Sequence, residues 1–154
     1  MKQRLIAVET FLNKLNPVQF VLVFVILMIV ACIPVQLILG DTDIGGPTSI
    51  RSLGWVSIFV AVFFAPIVET LLFQGFIINQ VLKYTRGNRS IAVFFSSVLF
   101  GLAHWYSVGY VFIAFSMGIV LGIARVIKQK HAIRYVIAIH AVKNLIALLA
   151  IAYL

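Results

Sequence analysis

The sequence predicts an all-α protein: a polytopic membrane helical bundle of about five transmembrane helices, preceded by one interfacial helix. Composition gives the first reason, because 63% of the 154 residues are hydrophobic and only 10% are charged, whereas soluble domains carry about a quarter charged residues. The apolar residues also form runs long enough to cross the ~30 Å hydrocarbon core of a bilayer. A mean hydropathy of +1.14 agrees with both observations. Together they exclude a soluble globular domain.

Residues 1–16 are predicted to form an amphipathic helix that lies on the membrane surface. Apolar residues recur there at helical spacing and basic residues fill polar positions, which is typical of interfacial anchors. The dipeptide Asn16-Pro17 is predicted to end this helix. The apolar positions are Leu5, Val8, Leu12 and Leu15.

Residues 17–154 are predicted to form one transmembrane domain. Its second apolar run is longer than one straight crossing needs, and Pro66 predicts a bend there, because proline removes the helical hydrogen bond to the Val62 carbonyl. Small residues in the third and fourth runs predict a close contact between those two helices. The five runs cover residues 18–39, 53–84, 90–105, 109–127 and 133–154, and the small residues are Ser97, Gly101, Ala114, Gly118 and Gly122.

The net charge of +8 comes from basic residues at the ends of apolar runs, a distribution that sets membrane orientation and binds anionic lipids. Basic segments alternate with loops that are nearly free of basic residues. This alternation predicts a multi-pass protein of the cell membrane with a cytoplasmic N-terminus and an outside C-terminus. Membrane lipids are the expected partners, and nucleic acid is not. The basic segments hold Lys2, Arg4 and Lys14, then Lys83, Arg86 and Arg89, then Arg125, Lys128, Lys130 and Arg134.

Glu69 is the only acidic residue inside an apolar run. A carboxylate at this depth is costly unless it is paired, hydrated or protonated, so it is a functional-site candidate. Each polar residue of this kind also has a structural interpretation, as a protonated hydrogen bonder, an interfacial histidine or a link between helices. Three further candidates on apolar helices join Glu69 in one constellation: His104, His140 and Asn144.

Depth along the helices predicts that these polar groups meet. Glu69 lies 14 residues before Lys83, and His104 lies 14 residues after Ser90. Both are therefore about 21 Å from the cytoplasmic end of their helix. In the fifth apolar run, His140 and Asn144 lie about 9 Å and about 15 Å from Arg134 at helical rise, and their i,i+4 spacing places them on one face.

Three motifs carry a resemblance to a known family. They are the segment Ala65–Gly75 (APIVETLLFQG), then Phe100-x-x-x-His104, then His140-x-x-x-Asn144. In this order they resemble the CPBP family, which contains the CAAX prenyl endopeptidases and their bacterial relatives, the Abi-type glutamic intramembrane proteases. The resemblance covers about residues 55–150.

The resemblance implies an intramembrane hydrolase with four catalytic residues. Glu69 would be the general base for a water that attacks a peptide carbonyl, and His104 would position that water. His140 and Asn144 would donate hydrogen bonds to the oxyanion, a role worth about 3–4 kcal/mol for one well-aimed donor. The supporting positions are Thr70, Phe73, Gln74, Phe100 and Lys143.

Two positions depart from the family pattern. Thr70 stands where the family has a second Glu, and Gln74 stands where it has an Arg. Their i,i+4 spacing predicts contact, so a neutral hydrogen bond is expected to replace the ion pair. No unpaired charge is then left in the membrane.

Lys143 lies in the last apolar run, three residues after His140. It is predicted either to line the site, where it meets a substrate carboxylate or lipid phosphate, or to extend along a groove between helices.

Three functions stay open at this point. The leading prediction is an endopeptidase that acts on a peptide or membrane protein. The alternative is a non-catalytic membrane binding or immunity protein on the same fold. A proton or solute relay is the third, although no internal repeat supports a transporter. No cofactor is expected. Zinc is the alternative, because one Glu and two His form a plausible ligand set.

Overall fold

The computed structural model describes residues 2–39, 54–128 and 131–153, and the regular structure in these residues is helical. The polar segment that follows the first predicted apolar run, residues 40–47, lies outside these ranges and is predicted to be a loop. The six helices are α1 (Lys2–Lys14), α2 (Pro17–Leu39), α3 (Trp55–Tyr84), α4 (Arg89–Ala103), α5 (Val108–Ile127) and α6 (Ala132–Tyr153).

Four of the described helices are long and apolar enough to cross a membrane: α2, α3, α5 and α6. The predicted helical membrane bundle is therefore confirmed, and a fifth apolar helix in the described residues is shorter. The run at residues 90–105 forms the shorter helix α4, which has 15 residues. Its length is about 22 Å at the helical rise, less than the ~30 Å of hydrocarbon.

Helix α4 is short because a side chain takes one of its carbonyl groups. His104 Nδ1 bonds the Phe100 carbonyl at 2.7 Å, the acceptor that the His104 backbone N–H uses in a continued helix. That N–H bonds the Gly101 carbonyl instead, at 3.0 Å. The helix consequently ends at Ala103, and the prediction that it continues to Trp105 is wrong.

Close packing of α4 against α5 fixes the position of this helix end. A Cβ atom on Gly118 would lie 3.0 Å from Ser97 Cα, and one on Gly122 would lie 2.9 Å from a Val93 methyl group. A Cβ atom on Gly101 would meet the Val111 carbonyl at 2.9 Å. The glycines thus let the two helices approach at backbone distance, which confirms the contact predicted from the small residues.

Helix α3 contains two π-helical segments, Val60–Phe64 and Thr70–Ile77, with an α-helical turn between them, Ala65–Glu69. In a π-helix each N–H bonds the carbonyl five residues earlier instead of four. The predicted irregularity at Pro66 is therefore present in a different form. Glu69 lies at the junction of the α-helical turn and the second π-helical segment.

Candidate active site

The Glu69 carboxylate lies between two histidine rings that come from different helices. Its Oε2 atom is 3.5 Å from His104 Nε2 and 3.6 Å from His140 Nε2. The Glu69 side chain is 25% exposed, so the protein encloses it only in part. The approach of Glu69 to His104 and His140, predicted from sequence depth and motif order, is confirmed.

His104 lies immediately after α4, and its hydrogen bond defines its tautomer. A carbonyl oxygen only accepts hydrogen bonds, so the Nδ1 atom that contacts the Phe100 carbonyl must carry the proton. In the neutral ring, Nε2 then presents a lone pair toward Glu69. His104 Nε2 is therefore an acceptor toward the carboxylate in the neutral ring and a donor in the protonated ring.

His140 has the opposite character. Its side chain is only 2% exposed, and its Nδ1 atom has no hydrogen-bond partner among the described residues. Orphaned buried N–H groups are rare in proteins, so the favoured tautomer leaves Nδ1 bare and places the proton on Nε2. The Nε2–H of His140 then faces Glu69 Oε2 at 3.6 Å, which is longer than a hydrogen bond.

Phe100 holds both histidine rings. It is fully buried, and its ring centroid lies 4.4 Å from that of His104 and 5.7 Å from that of His140. Phe73 packs edge-on against it at 5.2 Å. The phenylalanine that precedes His104 by one turn is thus a spacer between the two rings, and its carbonyl orients one of them.

Thr70 and Gln74 are fully buried, but the hydrogen bond predicted between them does not form. Thr70 Oγ1 and both amide atoms of Gln74 have no hydrogen-bond partner in the described residues. The prediction assumed α-helical geometry, whereas the segment from Thr70 to Ile77 is π-helical, so its side chains follow a different path.

Asn144 is engaged by the backbone of α3. Its Nδ2 atom donates to the Ala61 carbonyl at 2.9 Å, which uses one of the two amide hydrogens.

Lys143 lies between the two polar residues of its motif, on the face of α6 that carries them. It is half-buried, and its ammonium group forms no ion pair with the described residues. Both predicted placements of Lys143, at the site or along a groove between helices, stay predictions.

Two contributors are not evident from the motifs. The Tyr110 ring stacks near His104, with centroids 6.1 Å apart, and Ser96 Oγ donates to the Phe73 carbonyl at 2.8 Å. Ser107 offers a signal for Tyr110, because a serine before an apolar run is typical of a helix N-cap. Its side chain accepts from the Tyr110 backbone N–H at 3.0 Å, so Tyr110 lies in the first turn of α5, beside the loop that holds His104.

The residues fit a resident metal ion poorly. Within the described ranges, no group of three His, Cys, Asp or Glu side chains is arranged to hold one. A histidine that binds zinc through one ring nitrogen almost always donates its other N–H to a partner. His104 meets that requirement through Phe100, but the Nδ1 atom of His140 does not.

One comparison with known proteins gives a match. The family model described as "Type II CAAX prenyl endopeptidase Rce1-like" matches residues 51–146. This range is more than half of the chain, contains all four predicted catalytic residues, and agrees with the 55–150 predicted from the motifs. No curated protein and no solved structure matches the chain.

Proposed function

We propose, since this chain belongs to the Rce1-like family of type II CAAX prenyl endopeptidases, that it hydrolyses a peptide bond within the membrane by using a water molecule that Glu69 activates. The family is a protease family, and the long apolar helices make the chain a multi-pass membrane protein. The substrate we propose is a peptide or membrane protein. The N-terminus is proposed to face the cytoplasm and the C-terminus the outside of the cell membrane, which reporter fusions at each end can test.

One observation carries this proposal: a single carboxylate oxygen, Glu69 Oε2, lies 3.5 Å from His104 Nε2 and 3.6 Å from His140 Nε2. When the His104 ring is neutral, Glu69 Oε2 and His104 Nε2 are both acceptors, and a hydrogen donor that binds to both stabilises them. A water molecule is such a donor. With both hydrogens directed at these acceptors, its oxygen lone pairs point away from them, toward a bound substrate.

The reaction then follows with balanced protons. Glu69 takes one proton from the water as its oxygen bonds to the peptide carbonyl carbon. The carbonyl oxygen becomes an oxyanion, which the His140 Nε2–H and the second N–H of Asn144 stabilise. One such donor is worth about 3–4 kcal/mol in the transition state. Glu69 returns its proton to the leaving nitrogen as the carbon–nitrogen bond breaks.

The decisive variant is Glu69→Gln, because it keeps the size and polarity of the side chain and removes the base. We expect cleavage to fall by about 10²–10⁴-fold, while expression and folding are retained. Membranes from cells that produce wild-type or variant protein are compared by mass spectrometry for new peptide termini. Wild-type cleavage is expected to persist after chelation, because no step uses a metal ion.

Glu9→Gln is the matched control. Glu9 is a partly exposed carboxylate on α1 that pairs with Arg89 at 2.8 Å, far from the site in the sequence and outside the family match. It should leave cleavage unchanged. A folded Glu69→Gln protein that cleaves at the wild-type rate contradicts the proposal, as does wild-type activity that chelation abolishes.

A non-catalytic membrane binding or immunity function is the second candidate. It is favoured by Thr70 and Gln74, which replace two charged family residues with neutral groups that find no partner among the described residues. If the protein has that function, the Glu69→Gln variant keeps its full biological effect in cells. The same variant therefore separates the two candidates.

A further inference from the structure

One backbone carbonyl of α3 has lost its helical donors. In the π-helical segment Val60–Phe64, the Ala65 N–H donates to the Val60 carbonyl. The Ala61 carbonyl, which would accept this N–H in an α-helix, therefore does not receive it. The next N–H along the chain belongs to residue 66, which is proline and has none. The Ala61 carbonyl therefore has neither the donor of an α-helix nor that of a π-helix.

A side chain from another helix supplies the missing donor. Asn144 on α6 gives its Nδ2–H to the Ala61 carbonyl at 2.9 Å. In hydrocarbon every backbone polar group must find a partner within the protein. Proline at this place in α3 consequently creates a site that a neighbouring amide fills.

We propose that Asn144 is a positioning residue that takes the place of the N–H group missing at Pro66 and thereby sets the register of α3 against α6. Helix α6 then holds α3 at two points. His140 faces Glu69 at 3.6 Å, and one turn later Asn144 bonds a carbonyl eight residues before Glu69. Two contacts at different heights fix both the rotation and the height of α3, so the carboxylate meets the histidines.

This inference rests on the proposed function only where it concerns catalysis. One amide hydrogen of Asn144 is bound to Ala61, and the amide is planar, so the direction of the second hydrogen is fixed as well. That second hydrogen is the proposed oxyanion donor. The bond to Ala61 therefore orders a catalytic group before the substrate arrives.

The experiment combines Asn144→Leu with Pro66→Ala. Leucine has a similar volume and no donor, whereas alanine at position 66 restores a backbone N–H for Ala61. We expect Asn144→Leu alone to lower the equilibrium constant for folding about tenfold, since a part-buried acceptor loses its partner. In the Pro66→Ala background, the same change should cost less than about twofold. The measurement is reversible unfolding of the full chain in mixed detergent micelles.

Ser96→Ala is the matched control for the coupling. Ser96 also donates to a carbonyl of α3, that of Phe73, at 2.8 Å. That carbonyl keeps a backbone donor of its own, the Ile78 N–H. Pro66→Ala should therefore leave the effect of Ser96→Ala unchanged.

The outcomes separate this inference from the proposed function. Wild-type stability of Asn144→Leu overturns the positioning role, even if Pro66→Ala fails to fold. Equal cost of Asn144→Leu in both backgrounds overturns it as well. Neither result depends on enzyme activity. In an active enzyme, Asn144→Gln retains an amide donor and should recover part of the kcat that Asn144→Leu loses, at unchanged KM. A chain that has no cleavage activity but keeps the coupling between positions 144 and 66 contradicts only the proposed function.

Discussion

Both π-helical segments of α3, Val60–Phe64 before Glu69 and Thr70–Ile77 after it, receive a hydrogen bond from a neighbouring helix. In the first, Asn144 bonds a carbonyl that has no helical donor. In the second, Ser96 bonds a carbonyl that already has one. The first segment thus depends on its neighbour for a required hydrogen bond. The second does not.

The two segments differ in their side chains as well. The second carries Thr70 and Gln74, which are fully buried and have no hydrogen-bond partner among the described residues. The Glu69 carboxylate, which has two histidine neighbours, is therefore followed in the chain by the polar side chains of Thr70 and Gln74, which have no hydrogen-bond partner among the described residues. The comparison indicates that the segment before Glu69 fixes the site, whereas the segment after it tolerates change.

The largest effect is expected from charges placed in the second segment. Thr70→Glu or Gln74→Arg alone should lower the free energy of unfolding by about 3–5 kcal/mol, because each leaves an uncompensated buried charge. Both together should be tolerated, since the two long side chains can pair. Unfolding in detergent of the two single variants and the pair measures the coupling. If the pair costs as much as the two singles added together, the residues do not interact.

A smaller effect, of opposite sign, is expected from Gln74→Met. Methionine has a similar volume and removes an amide that is buried without a partner, so the free energy of unfolding should stay the same or rise by up to about 1 kcal/mol. Ser96→Ala provides the comparison, because it breaks an existing hydrogen bond and should lower stability by about 1 kcal/mol. The same unfolding measurement ranks the two. A greater loss from Gln74→Met than from Ser96→Ala would show that the amide of Gln74 has a partner.

The meeting of Glu69 with two histidines could be predicted from the sequence. Equal distances from basic helix ends pair Glu69 with His104 and depend only on a regular rise per residue, which holds closely enough over 14 residues. The order of the three motifs adds His140, whose own distance from Arg134 is shorter. The family match over residues 51–146 agrees with the prediction from the same motifs.

The π-helical segments could not be predicted in this way. A turn that is wider by about one residue changes the hydrophobic pattern too little to be seen over a segment of five to eight residues. The expected hydrogen bond between Thr70 and Gln74 failed for that reason. The carbonyl left without a donor was also displaced, from the Val62 expected in an α-helix to Ala61.

The end of α4 was missed for a different reason. The apolar run continues to Trp105, but the His104 side chain takes the Phe100 carbonyl. Hydropathy describes burial and carries no information about which group a carbonyl binds. The same hydrogen bond defines the tautomer of His104, so the feature that shortens the helix also prepares the site.

The central claim is that a water between Glu69 and His104 attacks the substrate directly. The most direct measurement is a single turnover in H₂¹⁸O, with enzyme in excess over a peptide that spans the cleavage site. Mass spectrometry then follows the label in the product and in the Glu69 side chain. We predict one ¹⁸O atom in the new product carboxylate and none in Glu69. An unlabelled product with ¹⁸O in Glu69 would show that the carboxylate itself attacks the peptide, and it would contradict the account.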